Sequence, residues 1–310
     1  MNPLRAAAQW TINCALSNPR LDAYLRDHYL RQNPQFRCAP PGHYYSPLPN
    51  IEDVRKIADQ HWQARVDLDS SLVLNPTTQL QLLEAFLPYY PDFDWSNQSI
   101  PERRYRTKNT TFETGDALSL FYMLRHFRPK HVIEIGSGFS SALMLDTNDR
   151  FHLDINFTFI DPELERLNSL LRTDDSARAK VIQSQVQSVP LSTFNALEEN
   201  DILFIDSSHV SKVGSDLNHE LFEIIPRLRT GVLIHFHDIF DNFEYPLDWI
   251  LKGVAWNEDY LIRAFLQYNT SFHVLLFNSF AGNRFRNWFA EQMPRFLENT
   301  GGSLWLRKVQ

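Results

Sequence analysis

From Thr114 onward, short apolar runs alternate with stretches whose apolar residues recur at helical spacing. A helix is predicted over Gly115 to Phe127, then the run His131-Val-Ile-Glu-Ile135, a turn with two glycines, and a second helix through Ala142 and Leu145. Strand-like runs follow at Phe157 to Ile160, Lys180 to Ile182, Ile202 to Ile205, Gly231 to His237, Phe272 to Phe277 and Ser303 to Leu306. Strands covered by helices on both faces lose their in-out alternation and read as continuous apolar runs. The pattern therefore predicts an α/β fold, a mostly parallel seven-stranded sheet with helices on both faces.

The first 100 residues differ, being rich in Pro, Tyr and charged residues. Helical spacing is predicted over Asn18 to Arg31, Ile51 to Arg65 and Thr77 to Leu87, where Leu80, Leu83 and Leu87 recur. The stretch Pro40 to Pro49 cannot be regular helix, because proline removes donors and constrains its predecessor. The chain thus divides into an N-terminal, mainly helical cap over 1–113 and a sheet domain over 114–310. The cap, with the insert around Asp238 to Pro246 and Trp256 to Leu261, is expected to form a substrate lid; a homodimer interface is the alternative for the N-terminal region.

Charge narrows the partners. The formal net charge is -7, and the one dense positive run, Arg103-Arg104-Tyr105-Arg106-Thr107-Lys108, reads as a solvated loop, which leaves no basic surface for nucleic acid. Two cysteines, Cys14 and Cys38, make neither a disulfide framework nor a paired zinc motif and fit a reducing compartment. No window approaches the roughly 20 apolar residues of a membrane span, and Met1 to Trp10 lack an apolar signal segment. A cytoplasmic protein without a membrane partner is expected.

The chemistry gathers at strand ends. The first strand closes in Glu134-Ile135-Gly136-Ser137-Gly138, where glycines let the backbone turn sharply and approach a ligand. A dinucleotide fingerprint wants a third glycine where Ser141 stands, and the carboxylate of Glu134 suits a cationic or zwitterionic ligand better than a pyrophosphate. The second strand ends at Asp161, able to accept from both hydroxyls of a ribose; the third ends in Gln183-Ser184-Gln185, whose amides can read an adenine edge. The fourth ends in Asp206-Ser-Ser-His209, and the fifth in His235-Phe-His237-Asp238.

These residues resemble the class I S-adenosylmethionine-dependent methyltransferases, with their Rossmann-like fold, over about Thr114 to Gln310. The resemblance implies S-adenosylmethionine as cofactor: Glu134, Gly136, Ser137 and Gly138 under its methionine part, Asp161 at the ribose, and Gln183, Ser184 and Gln185 at the adenine. Gly115 and Asp116 are implied at the methionine carboxylate. Within the class, the strand-four and strand-five ends are similar to the catechol-type O-methyltransferases, where an Asp and a consecutive Asp-Asn hold magnesium. Asp206 and Asp238 match two of those metal ligands, whereas Ile239 stands where the third belongs.

In those enzymes a lysine three residues after the first Asp removes the acceptor's proton, and this chain has His209 at that spacing. With an ordinary pKa near 6.5, His209 is the leading candidate base, beside His237 and Asp238; a loop histidine paired with a carboxylate is the bland alternative. His235 shares a face with His237 and reads as structural. Asp206 is also a candidate for the cofactor's ammonium. Tyr44, Tyr45, Tyr105 and Tyr122 are candidates for an aromatic cage or substrate wall. The reading is in-line methyl transfer to a small molecule, preferentially at oxygen. Two alternatives stand: cyclisation of the cofactor with release of methylthioadenosine, and a non-catalytic binding protein on the same scaffold.

Overall fold

The computed structural model describes residues 38–61, 72–98 and 100–310, with isolated positions between 20 and 33. Cys14 and most of the helix expected over Asn18 to Arg31 lie outside the described residues; Cys38 is exposed. Two compact units are present, Met1–Ala64 with Ile250–Ala255, and Arg65–Trp249 with Trp256–Gln310. The smaller carries α1 (Ile51–His61), whose first turn is held by the Asn50 side chain accepting from the Glu52 N–H at 2.9 Å.

The larger unit holds α2 (Pro76–Phe86), α3 (Thr114–Phe127), β1 (His131–Ile135), α4 (Phe139–Phe151), β2 (Asn156–Ile160), α5 (Glu165–Leu170), β3 (Ala179–Ile182), β4 (Ile202–Ile205), α6 (Asp216–His219) and β5 (Leu233–Phe236). After the insert come α7 (Glu258–Leu266), β6 (Phe272–Phe277), α8 (Asn278–Arg284), α9 (Arg286–Gln292) and β7 (Leu304–Lys308). The seven strands form one sheet in the order β3-β2-β1-β4-β5-β7-β6. β1 to β5 are parallel, and β7 runs antiparallel to both β5 and β6.

Both faces are buried, which explains the continuous apolar runs. In β4, Ile202 and Phe204 join one core with Leu118, Phe121, Leu143 and Phe159; Leu203 and Ile205 join the other with Leu221, Ile224 and Ile234. Tyr122 belongs to the first core, 1% exposed, with its ring stacked on Phe86. Tyr105 is equally buried and donates its hydroxyl to the Phe112 carbonyl at 2.7 Å. These two tyrosines, expected at a cage or wall, are core side chains. Among the described residues no helix is long and apolar enough to cross a membrane.

The basic run is only in part the solvated loop expected of it: Arg106 and Lys108 are exposed, whereas the Arg104 side chain is buried. Arg104 is 2% exposed, and its guanidinium binds Asp146 at 2.8 Å, Asp149 at 2.9 Å, and Asp175. Asp146 also accepts from the Arg104 and Tyr105 N–H groups at 2.8 and 2.9 Å. The loop before α3 is thereby clamped onto α4 and the turn at Thr173–Ala177. Arg104→Ala would strand Asp146 and Asp175 as unpaired buried carboxylates. It is expected to lower stability by about 3–5 kcal/mol, read from urea denaturation at neutral pH; a loss under about 1 kcal/mol would mean that water reaches the carboxylates.

Candidate functional site

Register alone brings the predicted strand-end residues into one row. Ile135 is paired with Ile160 and Ile205, Ile160 with Ile182, and Ile205 with Phe236. The residues one step further, Gln183, Asp161, Gly136, Asp206 and His237, therefore lie side by side at the carboxyl edge. The β1/β4 boundary is also where strand order reverses, and open α/β sheets form their ligand crevice at such a point.

Gly136 is required there. Its φ is +82°, and a Cβ would sit 1.7 Å from the Asp206 carbonyl oxygen, so only glycine lets β1 and β4 close at this level. Beyond it the Ser137 N–H donates to Asp161 at 2.8 Å, while the Ser137 hydroxyl is buried with no partner among the described residues. Gly138 donates its N–H to the Ser141 hydroxyl at 2.9 Å.

Glu134 departs from its expected role. It is fully buried, and its two carboxyl oxygens accept from Ser140 at 2.5 Å and from Ser141. Burial pushes the carboxyl up to about 8 against the pull of the serine hydroxyls. A neutral carboxyl facing α4 offers no charge to a ligand. The preference for a cationic ligand therefore cannot rest on Glu134, which instead ties β1 to the first turn of α4.

Asp161 accepts from the Ser137 and Glu163 N–H groups, one at each oxygen, and lone pairs remain on both. Gln183 and Gln185 are exposed at the same edge, with Ser184 half-buried between them. Gly115 and Asp116 have structural tasks. A Cβ on Gly115 would lie 2.3 Å from the Asn299 carbonyl, whose oxygen accepts the Gly115 N–H at 2.8 Å. Asp116 is buried and takes the Ser303 N–H at 2.9 Å and hydroxyl at 2.6 Å, with its other oxygen 3.5 Å from His237 Nε2.

Asp206, His209, His237 and Asp238 converge. His209 Nε2 lies 3.3 Å from Asp206 and 3.8 Å from Asp238; His237 Nδ1 lies 3.6 Å from Asp206 and 3.5 Å from Asp238. The histidine side chains are 6% and 3% exposed, the carboxylates 27% and 16%. His209 and Asp238 both hold left-handed backbone, at φ 59° and 56°, a conformation that costs a residue with a Cβ about 1 kcal/mol or more. His235 is buried, stacked on Phe204 and bonded to the Ser303 hydroxyl at 2.9 Å, as a structural histidine should be.

His209 is not an ordinary imidazole. Burial pushes it down, but Asp206 and Glu258 outweigh that and hold it up at about 10. For Asp206, burial raises the carboxyl while His237 and His209 pull it down to about 2. A histidine already protonated accepts no proton, so His209 is not poised as the base its spacing suggested.

Glu258, absent from the residues singled out in the sequence, supplies the short contact: its carboxylate meets His209 Nδ1 at 2.7 Å. The Asn257 and Glu258 N–H groups donate to the His209 carbonyl at 3.1 and 3.2 Å, and the Trp256 ring lies 4.3 Å from the imidazole. This part of the insert clamps the β4 loop. An Asn-Glu-Asp run at a helix start reads in sequence as ordinary dipole complementation, and nothing in it signals a partner 49 positions away. Tyr44 and Tyr45, in the smaller unit, are 81% and 72% exposed. The magnesium set does not fit: Ile239, at the third ligand position, is fully buried in apolar core. Nor do three or more donors stand ready-made around one ion among the described residues.

Residues 133–239 match the model of a family described as a methyltransferase domain. An uncharacterized protein of Archaeoglobus fulgidus is 38% identical over 172 residues, which span 53% of this chain and 75% of that protein. Among solved structures, the SAH-bound Podospora anserina methyltransferase PaMTH1 is 15% identical, with 86% of this chain and 99% of that one covered at a TM-score of 0.41. The O-methyltransferase TomG from Streptomyces achromogenes, in complex with SAM, is 12% identical, with 74% and 90% covered at a TM-score of 0.41.

The buried carboxyl of Glu134 has a consequence for stability. The folded chain keeps a proton that the unfolded chain releases, so this contribution is full below the usual carboxylate range and is lost as pH rises through about 8. Glu134→Gln, a neutral isostere, lacks the slope. Its Tm relative to the parent is expected to rise by roughly 5 °C between about pH 5 and about pH 8. Thermal melts across that range check it; parallel curves would mean that Glu134 is ionised in the fold.

Proposed function

We propose that this chain, which belongs to the class I S-adenosylmethionine-dependent methyltransferases, transfers a methyl group to an oxygen of a small molecule held at Asp206, His209, His237 and Asp238. The observation that carries the reading is the shared row of strand ends. It sets a glycine turn with an orphaned Ser137 hydroxyl and the open lone pairs of Asp161 beside a cluster whose carboxylates are its exposed members.

S-adenosylmethionine, when bound, supplies an activated methyl group. Gly136 and Gly138 give a backbone without side chains against which the cofactor's methionine part lies, and the Ser137 hydroxyl is free to bond it. Asp161 accepts from the ribose hydroxyls, and Gln183, Ser184 and Gln185 meet the adenine. On the acceptor side an incoming hydroxyl meets the carboxylates first, with the histidines behind them. Asp238 takes the proton of that hydroxyl, and His237 and His209 fix the orientation of Asp238 and Asp206. Alignment of the acceptor with the methyl carbon supplies most of the acceleration, and proton removal adds about 10²-fold or more. The acidic chain favours a small acceptor over a nucleic acid.

The test is incubation with S-adenosylmethionine, with and without a panel of small hydroxylated acceptors, with both thioether products measured. S-adenosylhomocysteine formed only with an acceptor is the expected result; methylthioadenosine formed without one would overturn the reading. Asp238→Asn is expected to lower kcat by about 10²-fold or more and to leave cofactor affinity, measured by calorimetry, largely unchanged.

A further inference from the structure

We propose that Phe240, Tyr245, Trp249 and Trp256 form an aromatic box for a compact alkylammonium group, which makes the acceptor a hydroxylated alkylamine. The inference deepens the proposed function by naming the acceptor's class, and rests on that function only for what happens to the hydroxyl.

The four rings close on themselves. Around the circuit the centroids of Phe240 and Tyr245 lie 6.2 Å apart, those of Tyr245 and Trp256 5.8 Å, those of Trp256 and Trp249 5.6 Å, and those of Trp249 and Phe240 5.7 Å. Each ring stands steeply to the next, at 75°, 78°, 85° and 86° in the same order. A group at the centre of a near-square with these sides lies roughly 4 Å from every centroid, inside the about 6 Å over which an aromatic face attracts a cation. Walls at right angles suit a rounded group. A flat aromatic acceptor would stack between parallel faces, which no neighbouring pair in the circuit provides. Tyr245 is buried, but Phe240, Trp249 and Trp256 are only half-buried, unlike the sealed rings of the two cores.

Charge selects a cation. Between positions 238 and 259 the chain carries Asp238, Asp241, Glu244, Asp248, Glu258 and Asp259 against one cationic residue, Lys252. Asp259 is tied to two walls of the box. One carboxyl oxygen accepts from the Phe240 N–H at 3.1 Å, and the Asp259 N–H donates to the Tyr245 hydroxyl at 3.2 Å. The other carboxyl oxygen is buried with no hydrogen-bond partner among the described residues, a costly state that a cation beside it relieves. The box also adjoins the acceptor cluster: the Trp256 ring lies 4.3 Å from His209, and Phe240 stands two residues beyond Asp238. An acceptor with its ammonium in the box therefore presents a hydroxyl, one short chain away, to the carboxylates of Asp206 and Asp238.

The test titrates the full chain, without S-adenosylmethionine, with choline and with its neutral carbon isostere 3,3-dimethyl-1-butanol, each followed by calorimetry. Choline is expected to bind at least about 10-fold more tightly, since the two share a shape and differ in charge. Trp249→Leu should weaken choline binding by about 10-fold, and Trp249→Phe, which keeps an aromatic face, by about 3-fold or less. Equal binding of choline and the isostere, no binding of choline, unchanged affinity in Trp249→Leu, or phenol binding more tightly than choline would each overturn the proposal. The comparison on the parent chain decides even if a variant fails to fold. S-adenosylmethionine affinity should be unchanged in Trp249→Leu; a loss matching that of choline would assign the box to the cofactor's sulfonium and overturn the proposal. Choline binding without methyl transfer to any amino alcohol or other hydroxylated acceptor would overturn the proposed function and leave the box standing; methyl transfer to neutral acceptors without choline binding would do the reverse.

Discussion

The close approach of Gly136 to the Asp206 carbonyl governs the molecule's chemistry. With no side chain between them, β1 and β4 end at the same level, and the ladder runs one residue beyond each strand: Gly136 donates to Ile160, Asp206 to Ile135 and His237 to Ile205, all near 3.0 Å. The strand-end residues proposed to face the ligand, from five strands, are thereby fixed by backbone register rather than by loop conformation. A site built this way inherits the rigidity of the sheet, and geometry held within fractions of an ångström is what group transfer needs.

Charge is distributed around that edge by burial. Glu134, in the row just beneath, keeps its proton and serves as a neutral hydrogen-bonding partner for α4. Asp206, one strand over, keeps its charge because two imidazoles face it. Two acids in adjacent strands thus hold opposite protonation states, set by what lies within about 4 Å of each. Glu258 and Asp116 extend the pattern outward, each presenting a carboxylate to the far side of a histidine.

Much of this was legible in the sequence, because each apolar run ended on a polar residue and a parallel sheet aligns such ends. The β1, β4 and β6 bounds agree residue for residue with the runs His131 to Ile135, Ile202 to Ile205 and Phe272 to Phe277. What escaped was decided by contacts between distant positions. Arg104 meets Asp175 across 71 positions and His209 meets Glu258 across 49, and neither pair has a local signature. The structural partners of Gly115 and Asp116 escaped for the same reason: Asn299 and Ser303 arrive from the other end of the domain. The titration of His209 could not be read from its type, since it belongs to the cluster and not to the residue.

The left-handed backbone at His209 and Asp238 carries one more consequence. At both positions glycine would relax the chain, yet a histidine and an aspartate stand there, side chains that a selection for thermal endurance alone would replace. Under the proposed function, stability and chemistry pull in opposite directions at these two positions. The fold can carry the mismatch because the Asn257 and Glu258 amides secure one loop and Gly302, accepting from Ile239, secures the other.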